Sequence, residues 1–508
     1  MQHRLPTLAI SLFSLFSGIA AAQQAPAMFQ VLMYASSGKS TAAPFGASVF
    51  SVNSPVSLGN VDKLVTVINN PTNFSDSQSM VQLNSAINSS IATALSVIPL
   101  ASPASGVILK KDPTTGAELD VSSTLGGIYT ERAETIGKGK FYIGFTHQNF
   151  HFTSLNGESL NGITILNPNG APSAFTDASG QAVKGAPVTV NLGLDVRLSQ
   201  DVTFLTYGVT NRFDVSLGLP MVHAAVAATS YNGQIFAGRG DATQNNNTNC
   251  WCADTFQPGF PSLTASYIGQ ANLSKTGFGD MLLRLKGTVV ETPHAVVAIG
   301  TDLRFATGDE RNFLGTGTTS VKPFLAVSLY NKPFRNGIVL SPHLNLGWQI
   351  SGKSVLGGQI QGTVQSATYT APNGTGTATF IGAPFTSTKD FLPDVFTWAI
   401  GTEIALGRRM TFVADILGDQ IGWIHGIPNT QEGSAPGLSP FAPFGPTNAV
   451  GIVSAGRTSI GQYSGAFGYK AKVAGNLVAT FNALVRFNDS GLTARFVPLF
   501  GLGYTFGH

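Results

Sequence analysis

From Lys140 onward, apolar and polar residues alternate one by one, the period of a strand whose two faces meet different surroundings. Val188, Val190, Leu192, Leu194, Val196, Leu198, Val202 and Phe204 form one row, against Asn191, Asp195, Arg197, Ser199 and Asp201 in the other, with Gln200 the one break. Ile338 to Ile350 and Leu492 to Phe506 repeat the pattern. With similar runs near 140–152, 213–229, 279–290, 295–306, 321–330, 394–407, 410–420, 467–475 and 477–487, about twelve strands are expected. Most reach the roughly 9–11 residues that cross a bilayer at a tilt. Short connectors (208–212, 291–294, 331–337, 408–409, 475–476) alternate with long ones (153–187, 230–278, 307–320, 353–393, 421–466), as periplasmic turns and external loops alternate in an outer-membrane barrel. The link Asn488 to Gly491 departs from this, being external by count yet short.

Charge supplies a check. If the apolar row of each strand faces lipid, then Asp195, Arg197, Asp201, Asp280, Arg284, Lys286, Asp302, Arg304, Glu403, Asp415, Asp419, Arg486 and Arg495 face the lumen, and only Asp394, at a strand mouth, does not. A Lys or Arg turned to lipid at the midplane costs about 2–4 kcal/mol. A soluble β-sandwich also alternates, but its strands run to about 5–6 residues. Trp348, Trp398 and Trp423 fall at external strand ends and Tyr504 and Phe506 at the periplasmic edge, where interface girdles form. The expected fold is therefore all-β, a transmembrane antiparallel barrel over 140–508. Residues 23–139 read differently, as an N-terminal plug or periplasmic segment. Met80, Leu83, Ile87, Ile91, Leu95 and Ile98 have helical spacing behind Asp76 or Ser77 as a cap. Val107 to Val121 resembles a hairpin, which gives fourteen strands if it joins the wall.

Composition narrows the function classes. Charged residues make up 11% of the 508-residue chain, against about 25% in an average soluble domain. A net charge of +3 excludes an obvious nucleic-acid binder. Met1 to Arg4, the apolar stretch Leu8 to Ile19 and Ala20-Ala21-Ala22 read as a signal peptide over residues 1–22, cleaved before Gln23. No later run is long and apolar enough for a membrane helix, so the bacterial outer membrane is the expected location.

Several stretches resemble the bacterial family called "MetA-pathway of phenol degradation", a group of outer-membrane proteins. They are Gly127-Ile128-Tyr129-Thr130-Glu131-Arg132-Ala133 with Thr135 to Lys140, Tyr207 to Val215, Gly277-Phe278-Gly279-Asp280, Thr307 to Gly317, and Asn488 to Leu492. The resemblance runs in order over about 100–508. It implies a barrel that passes small apolar or aromatic molecules, and its architecture is similar to the long-chain fatty-acid channels. Gly507-His508 after Phe506 departs from the aromatic residue on which such barrels commonly finish.

The lumen-lining candidates are Asp195, Arg197, Asp280, Arg284, Lys286, Asp302, Arg304, His343, Glu403, Asp415, Arg486 and Arg495. A hairpin through Glu291–His294 sets either Arg284 opposite Asp302 or Asp280 opposite Arg304, so opposite charges meet across strands either way. Such a network stiffens the wall and holds a plug, or else guides solute. Cys250 and Cys252 suit a local loop disulfide, with free thiols or a metal as alternatives. Asp309-Glu310-Arg311 opens an external loop, solvated or bridged by a cation to lipopolysaccharide. His147 and His151 share a strand face. No H-E-x-x-H, G-x-S-x-G or P-loop motif occurs, so neither a cofactor, a metal nor catalysis is expected. The leading expectation is passive uptake of small hydrophobic or aromatic compounds by a monomer, with outer-membrane lipid, lipopolysaccharide and the barrel-assembly machinery as partners. A barrel-borne hydrolase using His343 and an adhesive surface barrel are the alternatives.

Overall fold

The computed structural model describes residues 90–99, 102, 125–171, 186–235, 269–330, 338–358, 360–371, 374–406, 409–425 and 457–506, with short strands at 51–52, 109–111, 118–120, 175–176, 182–183 and 263–266. Twelve wall strands close into an antiparallel barrel. They are β1 (Phe141–Phe152), β2 (Ala186–Thr210), β3 (Phe213–Ile235), β4 (Gly269–Phe278 continued by Leu282–Glu291), β5 (Ala295–Arg304), β6 (Ser320–Leu329), β7 (Val339–Ser351), β8 (Val395–Ala405), β9 (Met410–His425), β10 (Arg457–Ala474), β11 (Leu477–Arg486) and β12 (Phe496–Phe506). Closure joins β12 to β1, with Phe506 opposite Phe141 and Leu499 opposite Gln148. Both pieces of β4 pair with β3, at Met221↔Phe278 and Gly218↔Leu282. Asn161–Ala171 pairs with β2 as an added strand above the wall.

Period-two patterning becomes two surfaces. Along β12, Phe496, Pro498, Phe500, Leu502, Tyr504 and Phe506 point outward, while Val497, Leu499, Gly501, Gly503 and Thr505 point in. Ile143, Phe145, Ile299, Trp348, Ile350, Ile400, Ile416, Phe467 and Phe481 are likewise exposed on the outside. Trp348 leans on Phe396 and Trp398 on Tyr463, with ring centroids 6.0 and 6.3 Å apart. No helix among the described residues is long and apolar enough to cross a membrane. The wall crosses with strands, and a closed wall leaves no unpaired edge in hydrocarbon.

Two expectations change. Leu109–Lys111 and Glu118–Asp120 pair with each other and with no described wall strand, so the hairpin does not enlarge the barrel. The connection 353–393, read as a loop, carries a hairpin of Ile360–Ala371 against Gly374–Ser387.

The barrel is filled from both ends. Residues 90–97 form a helix, the described part of the expected 77–100 helix, and Pro99, which cannot continue a helix, follows it. Ile91, Ala92, Leu95 and Ile98 are buried against Phe150, Leu194, Val196, Leu198, Val222 and Val226. A helix buried all round needs small or apolar residues all round, and Ser90, Thr93, Ala94 and Ser96 fill the remaining faces. From the short-turn end, residues 125–140 enter the lumen. Gly139 N donates to Gly208 O at 2.7 Å, and Gly208 N donates to Lys140 O at 3.0 Å. Position 208 must be glycine, because a Cβ there would overlap Gly137 O.

Candidate functional site

The lumen polar residues form two groups around segment 125–137. In the first, Arg284 Nε and Nη2 donate to Asp302 at 2.6 and 2.8 Å, and Nη1 donates to Glu131 Oε2 at 2.5 Å. Lys286 Nζ donates to Glu131 Oε1 at 2.7 Å and to the Arg132 and Glu134 carbonyls. Ser102 Oγ also donates to Glu131, at 2.8 Å. Glu131 lies on the inserted segment, not on a wall strand. Burial pushes its carboxyl up, but Lys286 and Arg284 together outweigh burial and hold it below the usual carboxylate range. Of the two cross-strand registers expected, Arg284↔Asp302 is the one formed.

In the second group, Arg132 Nη2 pairs with Glu403 Oε2 at 2.9 Å, both nearly fully buried. His343 Nε2 lies 2.8 Å from Asp415 Oδ1 and 3.0 Å from Thr130 Oγ1. Gly401 admits this contact, since a Cβ at 401 would overlap Asp415 Oδ1. Lys470 Nζ donates to Leu125 O at 3.3 Å and Gly127 O at 2.5 Å. Ile136 N donates to Asp214 Oδ2 at 2.9 Å.

The other expected site residues distribute as follows. Asp280 Oδ2 accepts from Thr316 N and Oγ1, both at 2.7 Å, and Oδ1 accepts from Gly308 N at 3.0 Å, folding loop 307–319 inward. Arg304 Nη1 donates to Leu95 O at 3.0 Å and Ser96 O at 3.4 Å, satisfying carbonyls at the helix C-terminus. Arg486 faces the interior cavity. Arg495 is exposed at the loop-end rim and pairs with Asp489 at 2.9 Å, outside both lumen groups, because Leu492–Thr493 turn aside to pair with Ser154–Leu155. Cys250 and Cys252 lie outside the described residues. Asp309 caps a three-residue 3-10 turn, accepting from Arg311 N and Asn312 Nδ2. Among the described residues, no group of three or more His, Cys, Asp or Glu is arranged to hold a metal ion.

Asp195 and Arg197 require a correction. They lie on the outer face of β2, Arg197 exposed and Asp195 half-exposed, paired with each other at 2.9 Å, and His151 Nε2 stands 3.2 Å from Asp195. Asp201 is also outward and pairs with His147 Nδ1 at 2.7 Å. Here the apolar row faces inward, onto the helix. Counting up from the turn at 211–212, about 9–11 tilted residues cross a bilayer, and that ends near Asp201. Above that level the outside of the wall is in water. The inward row packs the helix with Leu194, Val196 and Leu198 and, lower on the same strand, the inserted segment with Val202 and Phe204, so the apolar face of β2 is inward on both sides of Asp201. Sequence reading missed Glu131, Arg132 and Lys470, whose partners lie far away along the chain. For Lys470 the signal was a cation in a Gly-, Ala- and aromatic-rich run with no anion nearby, whereas Glu131 and Arg132 stand side by side and read as locally compensated.

Between the helix end and the inserted segment remains a cavity of about 140 Å³. Ile98, Phe324, Leu417 and Leu484 give it apolar surface, and Asp419 and Arg486 give it charge.

No family model matches the chain, and no curated protein matches it in sequence. The resemblance to the phenol-degradation family thus rests on the short motifs. Among solved structures the chain is similar to an outer membrane channel from Pseudomonas putida F1, at 8% identity and a TM-score of 0.37 over 74% of this chain and 98% of that one. It is also similar to a FadL homologue of Pseudomonas aeruginosa (11%, TM-score 0.29, 80% and 98%) and to the toluene transporter TbuX of Ralstonia pickettii (10%, TM-score 0.28, 73% and 90%). Likenesses this distant leave the function to be read from the residues themselves.

Proposed function

We propose that the chain is an outer-membrane channel for passive uptake of small hydrophobic, including aromatic, compounds. One observation carries this reading. A closed wall, apolar outside, surrounds a segment tied to its inner face chiefly by side-chain hydrogen bonds, with a cavity beside that segment. The wall's own hydrogen bonds run from strand to strand, so the filling can shift without opening the wall. Cargo enters at the loop end, passes the helix, rests in the cavity and leaves as 125–140 moves. Downstream consumption drives the flux. Outer-membrane lipid, lipopolysaccharide and the assembly machinery are the partners in this reading, and residues 23–139 act as the plug. Deleting residues 76–100 raises single-channel conductance in planar bilayers; unchanged conductance in a correctly assembled barrel speaks against it.

The hydrolase alternative fits less well. In a nucleophile–His–acid relay the two ring nitrogens face different partners. His343 Nε2 faces both Thr130 and Asp415, while Nδ1 has no hydrogen bond among the described residues and lies 3.9 Å from Glu403.

A further inference from the structure

The two ends of the barrel differ in charge. The five short links carry Arg212, Lys332, Arg335, Arg408 and Arg409 in 20 residues, against one acid, Glu291. The five long links hold seven lysines and arginines and eight acids in 185 residues, so the cationic excess belongs to the short-link end alone. Of the five cations, Arg212 and Arg409 lie among the described residues, and both are exposed. Each has a second cation beside it. Lys138 N donates to Asn211 Oδ1 at 3.1 Å, which sets Lys138 against the turn that carries Arg212. Lys472 N donates to Arg409 O at 2.8 Å. Six of the twelve strands separate the two turns, so the two pairs stand on opposite flanks of the rim.

Neutralisation differs as well. At the loop end the exposed Arg197 and Arg495 are each paired with an aspartate at 2.9 Å. At the short-link end, among the described residues, Lys138, Arg212 and Arg409 make no ion pair. Their level on the wall points to the ligand. Phe213 and Met410, which directly follow the two arginines, are exposed on the apolar outer face. Phe141, Phe506 and Tyr504 meet at the same end, with ring centroids 6.1 and 4.7 Å apart. Aromatic residues so placed mark the boundary between hydrocarbon and headgroups. The arginines therefore stand at the level of lipid phosphates, within reach of a long side chain on the rim. A guanidinium matches a phosphate both in charge and in the spacing of its donors. A zwitterionic lipid brings its own cation to the same place and gains less. An acidic protein reaches this level only by pressing on the headgroups.

We propose that the short-link rim carries two sites for the headgroups of anionic glycerophospholipids, one at Lys138 and Arg212 and one at Arg409 and Lys472. They sharpen the lipid partnership of the channel reading and are independent of what the bore carries. The full-length protein in detergent is titrated with dioctanoyl phosphatidylglycerol or dioctanoyl phosphatidylethanolamine, and bound lipids are counted by native mass spectrometry. Two phosphatidylglycerols bind, each more tightly than phosphatidylethanolamine. A basic residue near anionic lipid is worth about fivefold in affinity. Arg212→Gln and Arg409→Gln therefore each weaken one of the two lipids about fivefold and spare the other, and the double variant weakens both. Arg495→Gln, which removes the same charge from the loop end, changes neither. Heat-modifiable gel mobility reports whether each variant is assembled.

Equal affinity for the two lipids in the assembled barrel, or a loss matched by Arg495→Gln, overturns the proposal. So does binding of polyglutamate that disappears in the double variant where no phospholipid preference is found, since the rim then belongs to an acidic protein. Conductance of the same preparations tests the channel separately. A conducting barrel without the lipid preference loses only these sites, and a lipid preference without conduction removes only the channel.

Discussion

Arg284 and Asp302 show how far single residues could be read. Alternation put both on one face, and hairpin geometry left two registers, one of which is formed. What alternation could not supply is Glu131, which makes the pair a cluster and ties it to the inserted segment. Removing one member of a buried cluster leaves an uncompensated charge and costs about 3–5 kcal/mol, whereas replacing both members by apolar residues is often close to neutral. Asp302→Ala is therefore expected to lower the urea midpoint of the barrel in lipid, and Arg284→Met with Asp302→Leu to recover much of the loss. Additive losses in the double variant speak against the pair as drawn. Asp195 and Arg197 show where residue-scale reading ended. A period of two separates two faces but does not say which is outside. The apolar row of β2 satisfies a buried helix as well as it would satisfy lipid.

At the scale of elements, β2 and the inserted segment 125–140 make opposite demands on the wall. The outer face of upper β2 is wetted and its inner face is not. In a background with Cys250 and Cys252 replaced by serine, Arg197→Cys reacts with a membrane-impermeant maleimide on intact cells, while Leu198→Cys stays unlabelled; equal labelling excludes the face assignment. The inserted segment is held by charge. Glu131 is depressed in the folded barrel, so its contribution is fully present above the ordinary carboxylate pKa. It is lost as pH falls through the lowered value. Single-channel conductance accordingly rises on acidification below the normal carboxylate range, and Glu131→Gln gives the raised conductance already at neutral pH. A pH-independent conductance contradicts this latch. The strand ranges were legible because their period is strict. The helix at 90–97 was legible from its spacing, but its burial inside the barrel was not, because burial depends on which strand faces are apolar inward.

For the whole molecule, strand count and connector lengths were readable from the sequence, since a bilayer fixes how long a crossing strand must be. The connection 353–393 was read as a loop because its Gly- and Thr-rich hairpin lacks an apolar row. With every wall strand paired on both sides, the barrel is expected to resist sodium dodecyl sulfate and run compactly until boiled. A single mobility before and after boiling contradicts closure.

The seam between Phe141–Phe152 and Phe496–Phe506 has a consequence for biogenesis. The stretch that occupies the bore is covalently continuous with the first of these two strands and hydrogen-bonded beside it at Gly208. Once the seam zips shut, a folded obstruction has no sideways route in. With sideways entry closed, the bore segment is expected to be enclosed while the cylinder is still an open, curling sheet, so that maturation yields a vessel already corked.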